Sequence, residues 1–441
     1  MDILNYADLL QKKINDRSAK VAVMGLGYVG LPFALEGAKA GFHVTGIDLD
    51  AEKVTKINLG QTYLIDVTDE ELKLVVNAGK LQATGDFSYL KDADIIVICV
   101  PTPLNIRKEP DVTYIKDAVA EISKYHRKGQ LITLESTSYP GTTEELIAEP
   151  LSNKGLIPGE DVFIAFAPER LDPGNKKFYT RNTPKVVGGV TKECLKVACT
   201  FYSQVINEVK PVSSPRVAEM TKILENTYRA VNISLVNELM LFCDKAGIDI
   251  WEVIEAAATK PFGIQTFYPG PGIGGHCISV DPFYLSWKSK EYDFHLGFID
   301  WAGRINSQVI QHVVNKVGSA LNKGRKSLKD AKILVVGVAY KRDIGDTRES
   351  PALIIMEKLL QAEAIIKYYD PYVPQVTLAG GRLLKSVSLT ESEIKDADCI
   401  LIITDHTGID YNMLVNQATL VVDTRNATEK VVSGKEKIVR I

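Results

Sequence analysis

Residues 20–30 read "KVAVMGLGYVG". Five residues of strand character run into Gly25, Gly27 and Gly30, and a helical stretch, "LPFALEGAKA", follows them. A short apolar strand that turns on glycines and restarts as helix is the opening of a βαβ unit. The glycines permit a tight turn, close approach of a pyrophosphate and close helix packing, and the helix N-terminus offers N–H groups to the phosphates. The next predicted strand, "HVTGIDLD", ends in Asp48, eighteen residues after Gly30. A carboxylate there reaches both ribose hydroxyls and repels a 2′-phosphate, so the expected cofactor is NAD rather than NADP. The other reading of the turn is packing with no ligand.

Outward from this stretch the same rhythm continues. "DIIVICVP", "QLITLEST", "VFIAFAPE" and "PKVVGG" alternate with helical segments, which predicts a parallel sheet with helices on both faces. After "DAKILVVGVAY" the alternation resumes with "IIKYYDPY", "DCILIITDH" and "TLVVDTRN", and Asp370 ends its strand as Asp48 does. Between these regions lies "SSPRVAEMTKILENTYRAVNISLVNELMLFCDKAG". Ser214 is placed to cap a helix, Pro215 to start it and Gly247 to close it. Val217, Met220, Leu224, Tyr228, Val231, Leu235, Leu239 and Phe242 recur at three-and-four spacing and predict one amphipathic helix of roughly 45 Å. A helix of that length joins domains or forms a subunit interface. The expected fold class is α/β, with two Rossmann-like, doubly wound parallel-sheet domains joined by a long central helix and a helical region. The expected divisions are 1–212, an NAD-binding domain; 213–325, a central helical domain; and 326–441, a second Rossmann-like domain.

At 441 residues, two or three domains are expected. A formal net charge of −3 gives no indication of a nucleic-acid or membrane partner. Cys99, Cys194, Cys199, Cys243, Cys277 and Cys399 show neither a CxxC pair nor metal-ligand spacing, so free thiols and no metal are expected. The charged N-terminus lacks a secretory apolar core, and no apolar run is long enough to span a membrane. The expected location is cytoplasmic.

Several motifs carry chemistry. "VPTP", with Pro101 and Thr102, and "ESTS", with Ser136 and Thr137, each end a predicted strand, where ligands of open parallel sheets lie. Turn chemistry explains these strings equally well. Glu169 in "FAPER" follows another strand and reads as a cap, a surface charge or a functional carboxylate. Lys222 and Asn226 share one helix face off the apolar stripe, either as an exposed pair or as part of a site. "PGPGIGGHCISVD", residues 269–281, surrounds Cys277 with glycines and prolines. Either the backbone bends there for packing, or a substrate lies against it within reach of a nucleophilic thiolate. A cysteine together with NAD is the chemistry of aldehyde-to-acid oxidation. The stretch "FYPGPGIGG" is also expected to offer room and N–H groups to an acetamido substituent.

In order, "GLGYVGLP", "VPTP", "EST", "APE", Lys222 to Asn226, "GPGIGGHCISVDP" and "DTRES" resemble the UDP-sugar 6-dehydrogenases over essentially the whole chain. The resemblance implies a UDP-sugar substrate whose C6 is oxidised from alcohol to carboxylate by two NAD in turn, and a second Rossmann-like domain that binds UDP. It implies Cys277 as nucleophile, Lys222 and Asn226 at the C6 oxygen, Asp281 and Thr137 supporting a water, and Glu169 assisting thioester hydrolysis. For the cofactor it implies Gly25, Gly27, Tyr28, Val29, Gly30, Asp48, Lys53, Pro101, Thr102, Thr137 and Arg348. For the substrate it implies Glu169, Arg170, Lys222, Asn226, Tyr268, Gly274, Lys341 and Arg425. UDP-glucose enzymes carry a second glutamate where this chain has Pro173, and an aromatic residue where it has Arg170. Those departures argue against glucose as the sugar, and the stretch beginning "TKPFGIQTFYPGPG" resembles the branch acting on UDP-N-acetylglucosamine for surface polysaccharides. A homodimer or higher oligomer through the long helix is expected.

Overall fold

The computed structural model describes residues 5–64, 66–105, 107–172, 174–175 and 177–441. Pro173 lies outside the described residues. The chain forms two compact units: Met1–Glu225 with Phe283–Asp293, and Asn226–Pro282 with Phe294–Ile441.

In the first unit, β1 (Lys20–Met24) passes through the glycine turn into the helix Gly30–Lys39, and β2 (His43–Ile47) pairs with β1 in parallel from Lys20↔His43 to Met24↔Ile47. They are joined by β3 (Leu81–Thr84), β4 (Ile95–Ile98), β5 (Gln130–Leu134), β6 (Val162–Phe166), β7 (Lys185–Gly189) and β8 (Val209–Val212). The sheet order is β3-β2-β1-β4-β5-β6-β7-β8, so the winding direction reverses between β1 and β4. That reversal opens a crevice at the carboxyl ends of the strands. Alternate residues feed separate cores on the two faces: Val21 and Val23 pack on one side, Ala22 and Met24 on the other. Burial on both faces is why β4 and β6 are apolar throughout, while β5, equally buried, carries Gln130 and Thr133 among its apolar residues.

One pairing departs from the expected parallel sheet. β6 and β7 are antiparallel, with Ala165 opposite Gly189 and Phe166 opposite Gly188. A parallel neighbour needs a crossover back to the starting edge. Between Glu169 and Lys185 the described residues form no helix, so the chain returns from the same end.

The second unit repeats the architecture. β9 (Lys332–Val336), β10 (Ile365–Tyr369), β13 (Cys399–Ile402), β14 (Val421–Asp423) and β15 (Ile438–Arg440) form a parallel sheet in the order β10-β9-β13-β14-β15. β11 (Gln375–Thr377) and β12 (Leu383–Lys385) make a small antiparallel ribbon. Ile333 and Val335 face one core, Leu334 and Val336 the other. The first of these cores also takes in Met240, Trp251, Val309 and Val313 from helices, so helices and sheet in this unit are packed as one body.

The long helix runs Pro215–Ala246, with Val217 N–H donating to Ser214 Oγ at 3.3 Å and Gly247 at φ +72° beyond it. Its apolar stripe is turned outward: Leu224 is 60% and Phe242 62% exposed, and Val217, Met220, Tyr228, Leu235 and Leu239 are exposed as well. The inward face carries Glu219, Lys222, Asn226, Ser234 and Asn237, all buried. The reading of Lys222 and Asn226 as an exposed pair is therefore corrected. Polar groups are tolerated inside because neighbouring elements supply hydrogen bonds, which burial otherwise makes costly. No helix among the described residues is long and apolar enough to cross a membrane.

Candidate active site

The glycine turn is shaped by its own packing. Gly25 has φ +87°, and a Cβ there would lie 2.6 Å from Cys99 O; at Gly30 it would lie 1.8 Å from Gly25 O. Neither position admits a side chain. At Gly27 nothing lies within 4 Å, so the middle of the turn faces open space where a phosphate can approach the backbone. Asp48 Oδ2 accepts from Leu26 N–H at 2.8 Å and Oδ1 from Asp50 N–H at 2.9 Å, with Lys53 Nζ 3.8 Å from the carboxylate. The Tyr63 hydroxyl donates to Leu26 O, and burial followed by the charges of Asp48 and Asp50 pushes its pKa up. The residues fit a dinucleotide: a strand-end carboxylate is tied to a turn with an open central glycine. Tyr28 is exposed and Val29 half-buried beside it.

Farther along the strand ends, Pro101 is exposed, Thr102 is buried, and Thr137 is half-buried between buried Ser136 and Ser138. The Tyr284 hydroxyl donates to Thr102 O, so part of the "VPTP" turn serves packing. Glu169, past β6, is joined to the long helix. Lys222 Nζ donates to Glu169 O at 2.7 Å and Oε2 at 3.2 Å, with the two residues 4% and 7% exposed. Leu171 N–H donates to the other carboxylate oxygen. Arg170 is held by the protein: it donates to Glu225 at 2.6 and 3.3 Å and to Pro184 O at 2.8 Å.

Sequence reasoning missed Glu219, one turn before Lys222. Its fully buried carboxylate accepts from Gly141 N–H at 2.6 Å, Thr143 N–H at 2.9 Å and Thr143 Oγ1 at 2.7 Å. Burial raises its pKa against those bonds. The available signal was a charged residue three positions before Lys222, on the same helix face.

In the second unit, Asn226 Nδ2 donates to Asp281 Oδ2 at 2.5 Å, with both side chains buried. Asp281 N–H donates to Cys277 O at 2.9 Å. The Asn226 amide and the Asp281 carboxylate are thereby bonded side chain to side chain, and the Asp281 backbone is tied to the Cys277 carbonyl one turn earlier. Cys277 is half-buried, whereas Cys99, Cys194, Cys243 and Cys399 are buried.

Packing accounts for much of the glycine content around Cys277. A Cβ on Gly274 would lie 2.8 Å from both Glu349 O and Tyr340 Cβ, and one on Gly270 2.6 Å from Arg425 Nη1. Gly270 N–H donates to Asn237 at 3.0 Å, Ile273 N–H to Asn306 at 2.5 Å and Gly275 N–H to Arg348 O at 3.1 Å. The expectation that this loop offers its N–H groups to an acetamido substituent is corrected for these three. The loop is laced to its own surroundings.

Arg425 donates through Nε to Ile403 O at 3.2 Å, and burial, then the neighbouring Arg342 charge, lowers its pKa to about 10. Arg348 is exposed and bridges to Asp346 at 2.7 Å, Lys341 is half-buried, and Tyr268 stacks on Trp251 with ring centroids 5.9 Å apart. Among the described residues, no group of three or more His, Cys, Asp and Glu is arranged to hold a metal ion.

A doubly wound sheet with an open glycine cradle and a strand-end carboxylate, together with a second Rossmann-like sheet, defines the class of NAD-dependent dehydrogenases. Residues 19–206 match the NAD binding domain of the UDP-glucose/GDP-mannose dehydrogenase family, 216–308 its central domain and 334–430 its UDP binding domain. The chain belongs to that family. It is 37% identical over 389 residues to the UDP-N-acetyl-D-mannosamine dehydrogenase of Pyrococcus horikoshii, covering 88% of this chain and 89% of the relative. It is 35% identical to the UDP-N-acetyl-D-glucosamine 6-dehydrogenase of Pseudomonas aeruginosa, covering 81% and 84%. Among solved structures, the UDP-D-ManNAc dehydrogenase of Pyrococcus horikoshii superposes with a TM-score of 0.86 at 34% identity, covering 96% of this chain and 98% of the other.

Proposed function

We propose that the protein oxidises C6 of a UDP-N-acetylhexosamine, UDP-N-acetylglucosamine first, to the uronic acid through a covalent intermediate on Cys277. The observation that carries this reading is the Asn226–Asp281 side-chain pair, whose Asp281 backbone is bonded to the carbonyl of half-buried Cys277. NAD, when bound, accepts one hydride in each of the two oxidations. Gly25, Gly27, Tyr28, Val29 and Gly30 cradle its phosphates, Asp48 and Lys53 serve its ribose, and Pro101, Thr102, Thr137 and Arg348 complete its site.

The first oxidation removes a hydride from C6 and a proton from its hydroxyl. The Cys277 sulfur then bonds to the aldehyde carbon, and Lys222 and Asn226 stabilise the charge that develops on oxygen. Loss of the second hydride leaves a thioester. Water, supported by Asp281 and Thr137, gives its proton to Glu169, attacks the carbonyl and releases the Cys277 thiolate. Glu169, Arg170, Tyr268, Gly274, Lys341 and Arg425 are the proposed substrate contacts, with Arg170 acting through its ion pair to Glu225.

The manno epimer is the second reading, favoured by the 37% identical relative from Pyrococcus horikoshii. The test is kcat/KM for UDP-N-acetylglucosamine, UDP-N-acetylmannosamine and UDP-glucose, with NADH counted per sugar. Two NADH per N-acetylhexosamine support the class. UDP-glucose turning over as well as either would defeat the acetamido reading.

We read the chain as an NAD domain to residue 212, a helical domain to 325 and a UDP domain beyond, acting in the cytoplasm. A homodimer formed along the outward apolar stripe of the long helix is part of this proposal, since Leu224 and Phe242 leave large side chains in water.

A further inference from the structure

Glu135 follows β5 and Lys185 begins β7, one on each side of β6, whose end leads to Glu169. Lys185 Nζ and Glu135 Oε2 are 2.7 Å apart, with side chains 8% and 1% exposed. The Tyr202 hydroxyl lies 2.9 Å from Glu135 Oε1 and 3.1 Å from Thr133 Oγ1. The rings of Phe33 and Tyr202 stand 5.6 and 5.5 Å from Lys185 Nζ. Taking both charges out of water is expensive, and apolar residues of similar size often hold such a position as well or better. Stability alone therefore does not account for the pair.

A narrow cavity of about 20 Å³ is lined by Glu135 and Lys185 together with Glu169, Arg170, Val29 and Phe33. That is room for about one water molecule. Other charged or titratable groups stand around the three: Lys222 on the Glu169 carboxylate, Cys99 after β4 within the field of Glu135, Lys185 and Glu169, Tyr202 from the helix Lys192–Val205 on Glu135, and Arg170 with its partner Glu225. Burial raises the Glu135 pKa; Lys185 and Tyr202 oppose this, and Glu169 adds to it.

We propose that Lys185 and Glu135 are a positioning pair for Glu169, setting its charge and place across the cavity they share. This rests on the reading of Glu169 as the base in thioester hydrolysis. The two partners act with opposite signs, because Lys185 favours an anion at Glu169 and Glu135 disfavours it.

The experiment is the pH dependence of kcat for acid formation by the full-length enzyme at saturating NAD and UDP-sugar. Glu169→Gln is expected to abolish the acidic limb. Glu135→Gln should move that limb to lower pH and Lys185→Met to higher pH, each by about half a unit or more, and Lys185→Arg should return it to the wild-type position. A merely structural pair would lower kcat without opposed shifts, so movement in one direction or none overturns the proposal. If one single variant fails to fold, the other decides: its acidic limb should move in the direction stated for it, and a limb that stays in place or moves the other way overturns the inference. An acidic limb that survives in Glu169→Gln defeats the base reading itself. A limb lost there but unmoved in the pair variants defeats only the role of the pair.

Discussion

Asn226 donates its side-chain amide to the Asp281 carboxylate at 2.5 Å, and both residues are withdrawn from solvent. The pair holds a polar group beside Cys277 that hydrophobic packing alone does not supply.

Asn226→Ala leaves the Asp281 carboxylate without this donor. The expected cost is about 1–3 kcal/mol of stability, with kcat for NADH formation down by about a hundredfold. Urea unfolding and the 340 nm assay read the two effects separately. Unchanged kcat in a folded variant would remove Asn226 from the chemistry.

Cys277→Ala is expected to abolish formation of the uronic acid while NAD binding, followed by calorimetry, stays near the wild-type value. The thioester needs sulfur, whereas the glycine cradle lies in the other unit. Near-normal acid production by this variant is the result that rules out covalent catalysis.

Asp48→Ala should weaken NAD binding and narrow the preference over NADP, since the carboxylate that repels a 2′-phosphate is gone. The hydrogen bond from Leu26 N–H is lost too, so the turn itself loosens. Equal use of both cofactors by the unaltered enzyme contradicts the assignment.

Asp370 supplies a pH prediction. Burial alone would raise its pKa, but bonds from His406, Val338 N–H and Tyr372 N–H outweigh burial and hold it below the ordinary carboxylate range. A depressed folded pKa contributes stability that is present above the unfolded value of about 3.9 and is lost as pH falls through the folded one. The stability gap between wild type and Asp370→Asn should therefore be widest near neutrality and shrink below about pH 4. Urea midpoints at several pH values measure it, and a gap that grows on acidification would reverse the sign.

Phe242→Arg, on the outward stripe, should convert the proposed dimer to monomer without unfolding the chain. Sedimentation velocity is the check, and a variant that sediments like the wild type removes this helix face from the interface.

The strand–helix rhythm was legible because parallel strands buried on both faces are mostly apolar, and the glycine turn because its backbone needs are local. The long helix was legible as a helix, though not in which face it buries. Its apolar stripe is outside because Glu219, Lys222 and Asn226 meet partners distant in sequence, and only the folded chain brings those together. Asp48 and Asp370 looked alike as strand-ending aspartates. Yet Asp48 accepts from two backbone N–H groups, whereas Asp370 accepts from Val338, Ala339, Tyr372 and Val373 N–H groups and from buried His406. His406 Nδ1 accepts in turn from Asp343 N–H at 3.0 Å, leaving Nε2 to carry the proton toward Asp370. The second aspartate holds its own loop together, and no strand pattern distinguishes that use from ribose binding.

The first of the points at which the chain passes from one compact unit to the other falls between Glu225 and Asn226, within an unbroken helix. Lys222 belongs to one unit and Asn226, a single turn later, to the other. Any attempt to dissect the enzyme into separately expressed halves at that border severs these two side chains from each other. Neither fragment would retain both, and mixing purified fragments would have to rebuild that helical turn from two chains.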